Sequence, residues 1–145
     1  MLKVAVTILI IMLAYATVYS VLGIIAPKVL LKSGVKAAIG KTLEDASADG
    51  YLKSLTGLQR GMNVFSLATV LSGFFVLFAA FKKAQKWAWF SFLVVGGIAW
   101  LGGLIISISV GDTMNLIMQL IGTVLLVLGL LLPIKSFFGQ TAEEA

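Results

Sequence analysis

Apolar residues run almost without interruption through four stretches of the chain, at about 4–26, 61–81, 87–110 and 113–132, separated by shorter polar segments. A helix needs about 20 consecutive apolar residues to cross the hydrocarbon of a bilayer, and each run suits that length. Backbone polar groups in lipid must be satisfied within their own segment, so each run is expected to be a transmembrane helix. The first ends at Pro27, and the second is closed by Lys82, Lys83 and Lys86. The third opens on Trp87 and Trp89, whose amphipathic rings suit the membrane interface. Gly111-Asp112-Thr113 then turns directly into the fourth, and Pro133, Lys135, Phe137 and Phe138 follow it before a polar tail. The fold expected is an all-α membrane protein, an antiparallel four-transmembrane-helix bundle forming a single membrane domain over 1–145. Short connections on both sides of the third span make the second, third and fourth spans antiparallel neighbours. Lys3 and Ala14-Tyr15-Ala16 also suit a signal peptide, but the apolar run continues past Ala16 to Ala26, so an uncleaved first helix is expected.

The segment 28–59 differs in kind, being the one sizeable extramembrane loop that the pattern predicts. Lys28, Lys32 and Lys36 recur every four residues and line one face of a helix, with Leu30, Leu31 and Ala38 on the other. That arrangement predicts an amphipathic first loop lying in the membrane interface, short or broken at Gly34 and Gly40. Leu52, Leu55 and Leu58 resume helical spacing ahead of the second span. Between these parts, Asp45-Ala46-Ser47-Ala48-Asp49-Gly50 imitates the opening of a calcium-binding loop, with Asp45, Ser47 and Asp49 as the candidate ligands. The position that should supply a bidentate Glu is Thr56, so a plain Asx turn is the favoured reading and no metal is expected.

Composition agrees with a membrane setting. The 145 residues are 60% hydrophobic and only 12% charged, and the mean hydropathy is +1.08, beyond the range of ordinary soluble domains. The absence of Cys and His removes thiolate catalysis, the usual ligands of haem, zinc and copper, and the commonest general base near neutral pH. No cofactor and no enzymatic activity are expected. The net charge of +5 comes from basic residues beside the apolar runs, which predicts anionic membrane lipids as partners and no nucleic acid. Lys3, Lys82, Lys83, Lys86 and Lys135 fall on one side of the bundle and the remaining basic residues on the other. The count does not decide the orientation: the dense group in the second connection favours both termini in the cytoplasm, and the opposite orientation would place the amphipathic segment on the anionic cytoplasmic leaflet.

Small residues at helical spacing mark where helices approach each other in lipid. Ala99, Gly103, Ser107 and Gly111 form such a stripe on the third span, Ser66, Thr69 and Gly73 on the second, and Gly122 and Gly129 on the fourth. All are expected to face inward.

Antiparallel topology gathers the polar residues at one end. Arg60 and Asn63 open the second span, Asp112, Asn115 and Gln119 open the fourth, Ser107 and Ser109 close the third, and Tyr15 and Tyr19 lie in the outer half of the first. Polar groups so close to hydrocarbon must find partners, and Arg60 with Asp112 is the expected pair. Arg60, Asn63, Asp112, Asn115, Gln119, Tyr15 and Tyr19 are the candidate ligand-binding residues, holding the head group of a lipid-like or other amphiphilic molecule. A purely structural reading stands beside it: Asp112 as a helix N-cap, Arg60 reaching to the interface, and the amides bonding across helices. A homo-oligomeric channel or carrier, or an accessory subunit of a larger membrane complex, fits the same features.

Arg60-Gly61, Lys86-Trp87-Ala88-Trp89, Trp100-Leu101-Gly102-Gly103 and the Pro after the first span together resemble the small DoxX-like four-helix membrane proteins. The resemblance implies four helices with both termini inside and implies no reaction; the long first loop departs from it.

Overall fold

The computed structural model describes residues 1–45 and 51–139. In chain order it contains α1 (Leu2–Ile25), α2 (Pro27–Ile39), α3 (Tyr51–Ala79), a short 3-10 turn (Phe81–Lys83), α4 (Lys86–Ser91), a π-helical stretch (Phe92–Gly96), α5 (Gly97–Val110), α6 (Thr113–Leu131) and α7 (Ile134–Phe138). Among the described residues there is no strand. Four helical segments are long and apolar enough to cross a membrane: Leu2–Ile25, Tyr51–Lys83, Lys86–Val110 and Thr113–Leu131. Such a set is compatible with a multi-pass integral membrane protein.

Local chemistry explains the breaks. Pro27 occupies the first turn of α2, where its missing N–H costs nothing and its fixed φ favours a new helix, so it starts α2 as well as ending α1. At the other end Gly40 adopts φ +68°, the left-handed conformation that closes a helix cheaply only with glycine. Gly34, expected to break this helix, lies inside it. Its missing side chain instead admits Asp112, whose Oδ2 would stand 3.2 Å from a Cβ built there.

The second span, expected over about 61–81, is extended by helix at its N-terminal end. Its helix begins at Tyr51, because the leucine spacing of 52–58 already belongs to it; Lys53, Ser54 and Arg60 fall at exposed positions. Apolarity begins near Gly61, whereas helicity begins a decade of residues earlier.

α1 is the central element, packed against α3 and α6, and α6 in turn packs against α5. Glycines set these contacts. Gly73 seats Leu13, and Gly23 seats Asn63 between α1 and α3; Gly129 receives Leu9 between α6 and α1. Between α6 and the third span, Leu126 lies over Gly96 of the π-helical stretch, Trp100 over Gly122 and Gln119 over Gly103. In lipid this close approach, rather than expulsion from water, supplies the attraction between helices. Ser20 and Ser66 add a hydrogen bond of 2.8 Å across the α1–α3 seam.

The inward stripes are therefore largely as expected, with exceptions. Ala99, Ser66, Thr69 and Gly111 are exposed, and the first three line a cavity. The second and third spans, expected to be antiparallel neighbours, share little packing surface. α3 spends its packing surface on α1 and scarcely touches the third span beyond the connection between them.

At the far end aromatic rings close the core. Phe81 is fully buried, edge-on to Phe92 at 5.3 Å and tilted against Phe137 at 4.8 Å. The indole N–H of Trp89 donates to the Leu130 carbonyl at 3.0 Å, tying α4 to the last turn of α6.

Candidate functional site

Asp112 caps α6. Its Oδ1 accepts from the Asn115 backbone N–H at 3.2 Å, and its Oδ2 accepts from Asn115 Nδ2 at 2.6 Å and from the Ser33 hydroxyl at 3.3 Å. The residue is 3% exposed, so a carboxylate is held in the interior by donors from α2 and α6 and by the positive end of the α6 dipole. Asn115 passes this polarity on. Having given an N–H to Asp112, its Oδ1 accepts the Tyr19 hydroxyl at 2.5 Å.

Among the described residues no ion pair joins Arg60 to Asp112, which corrects the pairing expected from the sequence. The acceptor positions of Asp112 are filled from α2 and α6, while Arg60 is exposed beside the α1–α2 turn, near Ala26, Pro27 and Thr56. Asn63 is buried against Gly23 and donates to the Gln59 carbonyl of its own helix at 2.7 Å. Tyr15 stacks on Trp100 with ring centres 6.1 Å apart, and its hydroxyl lies 2.8 Å from the Met118 sulfur. Ser107 and Ser109 bond back to the carbonyls of Gly103 and Ile106.

A cavity of about 490 Å³ occupies the gap that α3 and the third span leave between them, with α1 and α6 behind it. That volume falls in the range of small-molecule sites. Met12, Leu13, Val70, Val76, Phe92 and Val95 give it an apolar wall. Tyr19, Gln119, Ser66, Thr69, Ser72 and Ser91 add polar groups, and none of the described residues around it carries a charge. The π-helical stretch supplies part of this wall through Phe92, Val95 and Gly96, in keeping with the recurrence of π-bulges at functional positions.

Of the seven candidate residues, Tyr19 and Gln119 reach the cavity. Asp112 and Asn115 stand behind Tyr19, Tyr15 supports Trp100, and Asn63 and Arg60 lie elsewhere. Gln119 Oε1 is buried without a hydrogen-bond partner among the described residues, an arrangement uncommon enough to need a reason. Sequence reasoning did not single out Trp100, Thr69, Ser72 or Ser91 as cavity residues. The stripe spacing marked Thr69 without showing that its neighbour would be absent.

Asp45, the first residue of the calcium-like motif, accepts from the Thr42 hydroxyl at 2.6 Å and from the Thr42 N–H at 3.1 Å. Ser47 and Asp49 lie outside the described residues. Among the described residues no cluster of three His, Cys, Asp or Glu could hold a metal ion.

Compared with family models, with curated proteins and with solved structures, the chain matches none of them.

Proposed function

We propose that this chain is a non-enzymatic multi-pass membrane protein that binds a lipid-like or other amphiphilic small molecule in the cavity between α3 and the third span. The observation that carries the reading is the cavity itself: an apolar pocket of about 490 Å³ with a few polar groups, Tyr19 and Gln119 among them. Apolar walls with sparse, placed polar groups suit a molecule that has one polar end. The paired contacts Leu13 with Gly73 and Gly23 with Asn63, or Trp100 with Gly122 and Gln119 with Gly103, favour an antiparallel bundle. In this reading both termini are cytoplasmic, with Lys82, Lys83 and Lys86 on that side, and the exposed lysines of α2 meet lipid head groups opposite. The DoxX-like resemblance adds four spans to the picture and no residue role.

Native mass spectrometry in mild detergent tests this by comparing wild type with Ala99→Phe, whose added ring projects from an exposed cavity position. A lipid-sized adduct on wild type that the variant loses is the expected result. A ring-sized oligomer without adduct, unchanged by the substitution, sinks the reading and favours a homo-oligomeric channel or carrier.

A further inference from the structure

The hydroxyl protons around the cavity are largely committed. Thr69 and Ser72 donate to the Phe65 and Ala68 carbonyls at 2.9 Å each, and Ser91 donates to the Trp87 carbonyl at 3.0 Å. Tyr19 points its proton away from the cavity, to Asn115, and Ser66 shares one bond with Ser20. What these oxygens keep for a guest is lone pairs.

The Tyr19 oxygen is a strengthened acceptor. Its proton goes to Asn115 Oδ1, the Asn115 Nδ2 proton goes to Asp112 Oδ2, and the chain ends on a carboxylate. Successive bonds oriented the same way polarise one another, so the Tyr19 oxygen becomes richer in electrons. Gln119 can add a second acceptor: its Oε1 is itself buried and unpartnered among the described residues, and a half-turn about the last side-chain bond, which exchanges the amide oxygen and nitrogen, would offer that oxygen to a guest in place of the N–H donors.

Charge narrows the class further. The described residues that line the cavity include no Lys, Arg, Asp or Glu. An anionic head would lose its water with no cation to replace it, and a cationic head would find no carboxylate at contact. Arg60, which would have suited an anionic lipid, lies outside the cavity.

Resting on the amphiphile-binding reading above, we infer that the cavity takes an uncharged single-chain amphiphile whose head group donates hydrogen bonds, of the monoacylglycerol type. Its hydroxyls donate to Tyr19 and Gln119, and its chain lies along Phe92, Val95 and Val76 and leaves between α3 and the third span, where those helices fail to close.

The test uses the full chain in mild detergent and titrates it by native mass spectrometry with monolauroylglycerol, methyl laurate, laurate and dodecylamine, probes of similar tail length that differ in the head. Monolauroylglycerol is expected to bind about ten-fold tighter than methyl laurate, the gain of one or two net hydrogen bonds. Tyr19→Phe should shrink that ratio to about three-fold or less by removing one acceptor. Ala99→Phe should abolish every adduct, and Thr69→Phe fills the cavity from the opposite wall should Ala99→Phe not fold, as judged by its elution and helical circular dichroism. If methyl laurate, laurate or dodecylamine binds as tightly as monolauroylglycerol, and a filling variant still removes the adduct, the head-group rule is overturned while the cavity reading stands. If no probe gives an adduct that a filling variant removes, both are overturned.

Discussion

Tyr19 and Asn115 join α1 to α6 through a single hydrogen bond of 2.5 Å, with the phenol donating to the amide oxygen. Asp112 stands behind that bond and holds the amide in position through Nδ2 at 2.6 Å. One buried carboxylate thus caps a helix, orients a cavity residue and anchors Ser33 of α2.

Replacing Asp112 should therefore cost more than a surface cap does. Asp112→Ala is expected to destabilise the chain by about 2 kcal/mol, the upper end of cap losses, since Asn115 and Ser33 also lose an acceptor. Asp112→Asn, which still caps, should lose less than half as much. Denaturant unfolding in mixed micelles, followed by circular dichroism, measures both; equal losses would show that the cap is not the reason.

The glycines of the spans divide into two kinds, and alanine scanning should separate them. A Cβ at Gly122 would enter the space of the Trp100 ring, whereas one at Gly102 meets nothing within 4 Å. Gly122→Ala is expected to cost about 1–3 kcal/mol through overpacking. Gly102→Ala should be neutral or gain up to about 1 kcal/mol from helix propensity. Unfolding midpoints in the same micelles decide it.

Arg60→Ala should leave both stability and adduct retention nearly unchanged, within about 0.5 kcal/mol, as for a surface position outside any network. Its guanidinium makes no ion pair with Asp112 among the described residues, and it stands beside the α1–α2 turn instead of the cavity. Loss of the adduct in native mass spectra would restore Arg60 to the site.

Asp45 provides the pH test. The Thr42 hydroxyl, and then the Thr42 backbone N–H, donate to its carboxylate and hold its pKa below the ordinary value. A group depressed in the folded state contributes stability that is fully present above its unfolded pKa, about 3.9 for Asp, and is lost as pH falls through the lower folded value. Nuclear magnetic resonance titration should find Asp45 below the ordinary range in wild type. In Thr42→Val, which lacks the hydroxyl, it should move back toward that range.

The long helices were legible as long apolar runs: the expected 4–26, 87–110 and 113–132 lie within two residues of the helical segments Leu2–Ile25, Lys86–Val110 and Thr113–Leu131. The beginning of α3 was legible in the helical spacing of Leu52, Leu55 and Leu58 ahead of the apolar run. Within the site, the Asp112–Asn115 cap is a local signal, three residues apart, and could be read directly. The Tyr19–Asn115 bond joins residues 96 apart in sequence, so its partners could be listed together at one end but not paired. Arg60 and Asp112 were matched by charge alone, whereas the donors to Asp112 are the Asn115 backbone N–H and side-chain amide and the Ser33 hydroxyl. Tyr19 and Gln119 were legible as candidates for the cavity, but its place was not, since it comes from a contact that α3 does not make.

The π-helical stretch Phe92–Gly96 acts in the third span like one residue slipped into an otherwise regular helix. Each residue turns an α-helix by about 100°, so everything before the stretch is re-clocked relative to everything after it. Trp89, ahead of the stretch, donates to the Leu130 carbonyl, and Trp100, beyond it, lies over Gly122 and stacks on Tyr15. The two halves of this one rod therefore present their side chains at an angle that a uniform helix would not set.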